Sequence, residues 1–449
     1  MTGPRDATRA FASRRAFLAA LGSGGLAGSA GCLDLVGGGA GRDGEITFGQ
    51  PAAYTGQWSY LQPGVSRATD LALAEIEAAG GPLDSEVSVH RLDTGADPEE
   101  TPTVVEHLVE DEGAPALLGL FGNEIVATLD RLQGRGVPVI SPWAATPDLD
   151  TEGGDGGAPE NLDEAGWIWR TVVSDTVHVA GGAAGLLAEG AETLGVLYTE
   201  TSLPERWVET FVEAFENGGG TLIALTELDP DSESYVPELT AVYDADPDAV
   251  TMSAPPVEGT TLVEDWADVG FGGQPLLDDL LRTEAFFEEV GTAATGTRFA
   301  TATGTGPAYT RFEEAFLDSD FGDGDEVRSR DLHPWAAAAY DATMLAALAI
   351  QRAGEATPEA IQRNLGPVSR PGGTTVETFG DGKEALDAGE EIHYVGAVSP
   401  ADFTPAGNVL GEVRIEEVTV GAALEGDFGA FEETTRVDAE AVGNVLDEY

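Results

Sequence analysis

The stretch Ala116–Ser141, ALLGLFGNEIVATLDRLQGRGVPVIS, holds one complete repeat of the chain's organisation. Ala116–Leu120 is an apolar run of strand length. Residues 124–134 carry apolar positions at helical spacing, and Gly136 ends them. Val137–Ser141 is a second apolar run with a proline near its start. Two continuous apolar strands flanking one helix are the signature of a parallel βαβ unit, because strands covered on both faces have no polar side to show.

The same alternation extends in both directions. Upstream, Ile46–Gly49 reads as a strand and Gly64–Ala79 as a helix stopped by Gly80-Gly81. Val87–Leu92 is a second strand, and Asp97-Pro98-Glu99-Glu100 reads as the start of the next helix. Downstream, strands are expected at 167–172, 194–198, 221–227, 249–253 and 275–277. Helices are expected at 177–189, 205–217, 234–244 and 258–269, and a long apolar one at Trp335–Arg352. The tail from Val368 reads as β-rich and loop-rich, with strands at Ile392–Ala397 and Val413–Val418. Asp150–Ala165, rich in glycine and acid, reads as a surface loop or disordered insertion rather than a lid. The fold class is therefore α/β. At 449 residues, two doubly wound parallel-sheet lobes explain the length better than one oversized sheet.

Charge narrows the partners. Asp and Glu number 80 against 22 Lys and Arg, a formal charge of −58 and a pI near 4.1. Binding to nucleic acid or to an anionic membrane face needs basic patches, so this balance argues against both as partners. Disorder does not follow, since 42% of residues are hydrophobic and the apolar runs recur throughout. Lys383 is the only lysine. Surplus carboxylate with arginine in place of lysine is the composition of a protein adapted to concentrated salt, which screens self-repulsion.

The N-terminus reads as an export signal. Arg5, Arg9, Arg14 and Arg15 precede an apolar, glycine-rich stretch from Phe17 to Ala30, too short to span a bilayer. Ser13-Arg14-Arg15-Ala16-Phe17-Leu18 resembles a twin-arginine motif. Ser29-Ala30-Gly31-Cys32 resembles a lipobox, which makes Cys32 the expected lipid anchor on the outer face of the cell membrane. Cys32 is also the only cysteine, so no internal disulfide and no multi-cysteine metal site can form. Residues 1–31 are then signal and 32–44 a flexible tether. Removal of 1–31 takes away four arginines and one aspartate, which moves the formal charge from −58 to −61.

A series of short motifs runs in order along the body. Ala78-Ala79-Gly80-Gly81-Pro82 is followed by Asp93 to Asp97-Pro98, Leu118-Gly119-Leu120-Phe121-Gly122-Asn123 and Gly136 through Pro142. Then come Trp169-Arg170-Thr171-Val172-Val173-Ser174-Asp175, Asn217–Gly220, Asp246-Pro247-Asp248-Ala249-Val250, Tyr340-Asp341-Ala342 and Asp402 to Gly407-Asn408. In order and spacing they resemble the leucine/isoleucine/valine-binding family of solute receptors for ABC importers, here as a lipoprotein of haloarchaeal type. The resemblance implies a type I periplasmic-binding-protein fold, with two α/β lobes joined by a three-crossover hinge. Lobe 1 is expected at 45–170 plus 299–392, and lobe 2 at 171–298 plus 393–449.

Ligands of open parallel sheets bind beyond the carboxyl ends of strands, near helix N-termini. Gly122-Asn123 and Ala144-Ala145-Thr146 are two such junctions, and the resemblance gives them a ligand α-carboxylate. Asn123 stands where the family commonly has serine, and Ala145 falls in the hydroxyl slot. Trp58 and Tyr60 correspond to the family's aromatic wall. Ser202 and Leu203 follow a second-lobe strand, with Leu203 replacing a tyrosine the family sets against the ligand. Asp278 or Asp279, with Asp279 preferred, corresponds to the carboxylate that meets a ligand ammonium.

The function implied is capture of an amino acid or related small amide by lobe closure, with delivery to ABC permease subunits by a monomeric receptor. An extracellular sensor presenting its solute to a signalling transducer is the alternative. Enzyme readings find no support. The histidines at 90, 107, 178, 333 and 393 lack metal-ligand spacing, and there is no Gly-x-Ser-x-Gly elbow, no phosphate loop and no dinucleotide fingerprint. No cofactor and no metal is expected.

Overall fold

The computed structural model describes residues 44–446 except 57, 200–201, 231, 303–305, 320–331 and 426–430. The signal, Cys32 and all but the last residue of the expected tether lie outside the described residues.

The first sheet is wholly parallel. β1 (Glu45–Ala52) pairs along its whole length with β2 (Glu86–Asp93), and β3 (Val139–Ser141) pairs with β4 (Ile168–Arg170). Leu117 joins the two pairs by parallel bridges to Gly49 and Val139. The strand expected at Ala116–Leu120 thus narrows to one bridging residue. The hydrogen bonds persist, as from Leu118 N–H to Gly49 C=O at 2.7 Å. Leu120, however, turns to φ +72°, which ends the extended geometry just before the helix Gly122–Arg135.

The second sheet has seven strands in the order β13-β12-β9-β8-β7-β5-β6. β5 (Thr193–Thr199), β6 (Thr221–Leu228), β7 (Ala249–Ser253), β8 (Leu276–Leu277) and β9 (Arg298–Thr301) are parallel. β12 (Val413–Glu417) and β13 (Glu432–Val437) close one edge antiparallel. A third, two-stranded parallel sheet pairs β10 (Thr374–Val376) with β11 (Ile392–Tyr394). The fold is therefore α/β with two mostly parallel layers, as the alternation of apolar runs requires. The chain leaves the first sheet after β4 and remains in the second through β9. It returns to the second sheet at β12.

The long helix Pro334–Ala353 is the spine of the first layer, and every residue from Ala336 to Ile350 is buried. Its alanines let it pack against both Gln62–Ala78 and Pro358–Ser369. His333 caps its start by accepting from Ala336 N–H at 3.1 Å, and Gly354 at φ +75° ends it. Asp341 sits on this helix, fully buried. It accepts hydrogen bonds from Tyr394 Oη and the Ala397 and Val398 amides at 2.8–2.9 Å, which ties the third crossover to the spine.

One sequence reading is narrowed and another needs correction: 150–165 takes the loop alternative rather than the disordered one, and the tail holds helices as well as strands. The segment 150–165 is an anchored loop. Asp155 is 1% exposed and pairs with both Arg370 Nη atoms at 2.7 and 2.9 Å, and Gln362 donates to Gly154 C=O at 2.9 Å. The tail contains the helices Phe379–Asp387, Val420–Glu425 and Ala439–Gly443 among its strands. Glycines at 380 and 382 hide the first of these from propensity, but Thr378 caps it through Asp381 N–H at 3.1 Å.

Candidate functional site

The site on the first layer is built by two strand-to-helix junctions. Phe121 precedes the helix Gly122–Arg135 in an extended conformation, and Glu124 caps that helix by accepting from Phe121 N–H at 2.8 Å. Glu124 also accepts from Thr101 Oγ1 at 2.7 Å, and burial pushes its carboxyl above the usual range. A methyl group on Gly122 would lie 2.7 Å from Thr146 Cγ2. The junctions 122–123 and 144–146 therefore meet, and glycine at 122 is what lets them.

Most polar groups at these junctions already have partners. Asn123 Nδ2 donates to Ala96 C=O at 3.0 Å, Ala144 N–H to Ser141 Oγ at 3.0 Å, and Ala145 N–H to Trp143 C=O at 3.0 Å. Thr146 Oγ1 donates to Asp148 at 3.3 Å. Beneath them Arg170, 1% exposed, donates to the carbonyls of Ala144 at 3.1 Å and Thr146 at 2.8 Å. The same guanidinium reaches Asp150 and Asn408 at 2.6 Å each. Asp150 in turn accepts from Ser174 Oγ and Thr176 Oγ1, so the loop, the first crossover and the third are joined at one point.

Trp58 and Tyr60, 37% and 64% exposed, stand beside these junctions in a longer aromatic row. Trp58 lies 6.3 Å from Tyr60 and 6.0 Å from Phe121, and Phe121 stacks on Trp143 at 5.0 Å and 8°. Phe121 and Trp143 are additions to the site expected from sequence. The available signal was position, since each sits just past a strand end beside a junction already singled out.

From the second layer, the helix Asp175–Ala188 starts against this loop, with Asp175 N–H donating to Ala145 C=O at 2.9 Å. The Asp175 side chain is open to solvent, yet protein surrounds it closely. Desolvation, partly offset by His178 and reinforced by Asp279, pushes its carboxyl up to about 6. Asp279 is half-exposed and lies 3.7 Å from His178 Nδ1, while His178 Nε2 meets Ala300 C=O at 2.9 Å. Asp278 is buried and accepts from Ser253 Oγ at 2.5 Å and Leu280 N–H at 3.0 Å. Burial first, and Asp279 beside it, hold its carboxyl well above the usual range. Of this pair, Asp279 is the one that a solute in solvent can reach. Ser202 and Leu203 open the helix Ser202–Asn217, directly after β5. Four residues on, Arg206 pairs with Asp148 at 3.3 Å, a contact between the two layers at the site's edge.

The sequence profile of the family described as periplasmic binding protein matches residues 45–403. The chain belongs to the periplasmic binding protein family. This binding protein is 25% identical over 387 residues to the chemotactic signal transduction system substrate-binding protein BasB of Halobacterium salinarum, which covers 83% of this chain and 87% of the relative. Among solved structures it is similar to a branched-chain amino acid ABC transporter protein of Rhodospirillum rubrum. The TM-score is 0.64 at 20% identity, over 87% of this chain and 100% of that one. It is also similar to the branched-chain amino acid transporter substrate-binding protein LivJ of Streptococcus pneumoniae in complex with isoleucine. There the TM-score is 0.56 at 18% identity, over 87% and 99% of the two chains.

As a member of this family the binding protein is a solute receptor. Among the described residues, no three His, Cys, Asp or Glu side chains are placed to hold a metal ion. No helix among them is long and apolar enough to cross a membrane.

Proposed function

We propose that this chain captures an amino acid or related small amide between two lobes, divided near residues 170, 298 and 392, and delivers it to an ABC permease. The observation that carries this reading is the Asp175 N–H to Ala145 C=O bond, which sets the start of a second-layer helix on the ligand junction of the first layer. A solute seated on the 122–123 and 144–146 junctions would lie beside the start of that helix, which carries Asp175. Closure is favoured by ligand because contacts from both lobes are made only when shut.

Export by the twin-arginine signal and lipid attachment at Cys32 complete the proposal, and hold a monomeric receptor at the outer face of the membrane. Binding of a panel of amino acids and amides in molar KCl, read by thermal shift and calorimetry, tests it. No response to any member would sink the idea.

A second reading has one specific support, the chemotactic description of the Halobacterium salinarum relative. In it, the receptor presents its solute to a signalling transducer. Co-purification from membranes separates the two, with permease recovered in one case and transducer in the other.

A further inference from the structure

The turn that follows the 144–146 junction carries two carboxylates in different circumstances. Asp150 is largely buried and accepts from Arg170 at 2.6 Å, Ser174 Oγ at 2.7 Å and Thr176 Oγ1 at 2.6 Å. These partners lie on or beside the first crossover, where the chain itself joins the layers. Asp148, two residues earlier, is half-exposed and reaches much further along the chain. Its partner is Arg206, 58 residues on and also half-exposed, in the second-layer helix Ser202–Asn217.

Each end of that pair is fixed to its own layer. Leu149, beside Asp148, is 1% exposed in the first-layer cluster that holds Ile125, Val139 and Ile168. Thr146 Oγ1 donates to Asp148 Oδ2 at 3.3 Å and accepts from the Asp148 N–H at 3.4 Å, so a residue of the junction orients the carboxylate. On the other side, Val208, Phe211 and Phe215 are buried and seat the arginine's helix. A hinge rotation displaces groups in proportion to their distance from the crossovers. Asp150 therefore keeps its partners as the layers part, and Asp148 loses Arg206.

We propose that the Arg206–Asp148 pair is a latch between the lobes, which biases the cleft beside Thr146 toward its shut form. The inference rests on the two-lobe reading above and names a contact that sets its open–shut balance. An exposed ion pair shifts an equilibrium by about 1.4- to 5-fold. That size suits a latch, because it favours the shut form without locking it, and the cleft still opens to admit and release solute. In a chain with 80 acids against 22 basic residues, like charge opposes closure, and Arg206 counters it where the layers meet.

Pulsed electron–electron distance measurement on the full chain, without added solute, tests the latch. Nitroxides go on Val126→Cys and Val257→Cys in a Cys32→Ser background. Both valines are exposed, in the first-layer helix Gly122–Arg135 and the second-layer helix Pro256–Val269. In low KCl, where charge is least screened, Arg206→Gln and Asp148→Asn should each at least double the fraction at longer distance. The exchanged pair, Arg206→Asp with Asp148→Arg, should return that fraction to the parent value. Arg436→Gln removes an equal charge from the edge strand β13, where Arg436 pairs with Glu433, and should change nothing. An unchanged distribution in both single variants, an exchange that fails to restore it, or an equal effect from Arg436→Gln overturns the latch. No solute enters this experiment, so such a failure leaves the receptor reading to the solute panel.

Discussion

Arg170 Nη1 donates to Thr146 C=O at 2.8 Å from a position that is itself 1% exposed, so the 144–146 junction is held from below by a buried cation. The same side chain faces Asp150, which it neutralises at 2.6 Å. Arg170→Met should therefore strand a nearly buried carboxylate and free two carbonyls. A loss of roughly 3–5 kcal/mol in unfolding free energy is expected, as for other broken buried pairs. Chemical denaturation measures it. The second substitution Asp150→Asn should return part of that loss, and a simple sum of the two single losses would contradict the account.

The contact between Gly122 and Thr146 predicts a size-for-size rescue. Gly122→Ala should cost roughly 1–3 kcal/mol and weaken solute binding, because its methyl would press on Thr146 Cγ2. Thr146→Ser removes that carbon and keeps the hydroxyl. The double variant should recover binding that the Gly122→Ala variant loses, and a double-mutant cycle by calorimetry reads the coupling.

Asp341 makes a pH prediction with a definite sign. Burial raises its carboxyl to about 6, against the opposing hydrogen bonds from Ala397, Val398 and Tyr394 and the attraction of Arg311. Its ordinary value is near 3.9 in an unfolded chain. Between the two, the folded state holds the proton more tightly, so this group's contribution to stability falls as pH rises from about 4 to about 6. Other carboxylates move oppositely: hydrogen bonds hold Asp93 and Asp248 below the usual range. The test is therefore the difference in Tm between wild type and Asp341→Asn across that window. The wild type should lose ground to the variant as pH rises, and a flat difference would refute the assignment.

The charge of −58 predicts a salt response. Self-repulsion spread over the surface is screened within about 3 Å at 1 M salt and within about 10 Å at 0.1 M. Tm should rise steadily from 0.1 to 2 M KCl. Guanidinium chloride at low concentration should stabilise more than urea at the same concentration, since only the former screens charge.

How much was legible in advance depended on the range of the interaction. The alternation of strands and helices is written in local apolar periodicity, and β7, Ala249–Ser253, appears where the apolar run begins and ends. Ala116–Leu120 shortened because its strand character depends on Gly49 and Val139, far away in the chain, and Leu120 turns aside. The helix Phe379–Asp387 was hidden by its glycines and is sustained by a cap together with burial of Phe379. At the candidate site, position relative to strand ends pointed to 122–123 and 144–146, and the family resemblance to 58, 60, 202–203 and 279. Neither revealed that Phe121 and Trp143 stack into the same row.

By itself the sequence determined the class of fold, the layered α/β plan and the strongly acidic charge balance. Each of these follows from composition or from patterns repeating within about ten residues. Only the tertiary structure decided which donors at the junctions are spent and which acids remain open. Ala144 and Ala145 look like free amides in the sequence and are bonded in the fold. Asp278 and Asp279 look alike in the sequence, yet one is buried under Ser253 and the other faces solvent beside His178. Hydrogen-bond partners and desolvation are set by residues brought together from distant parts of the chain, and no local pattern encodes them.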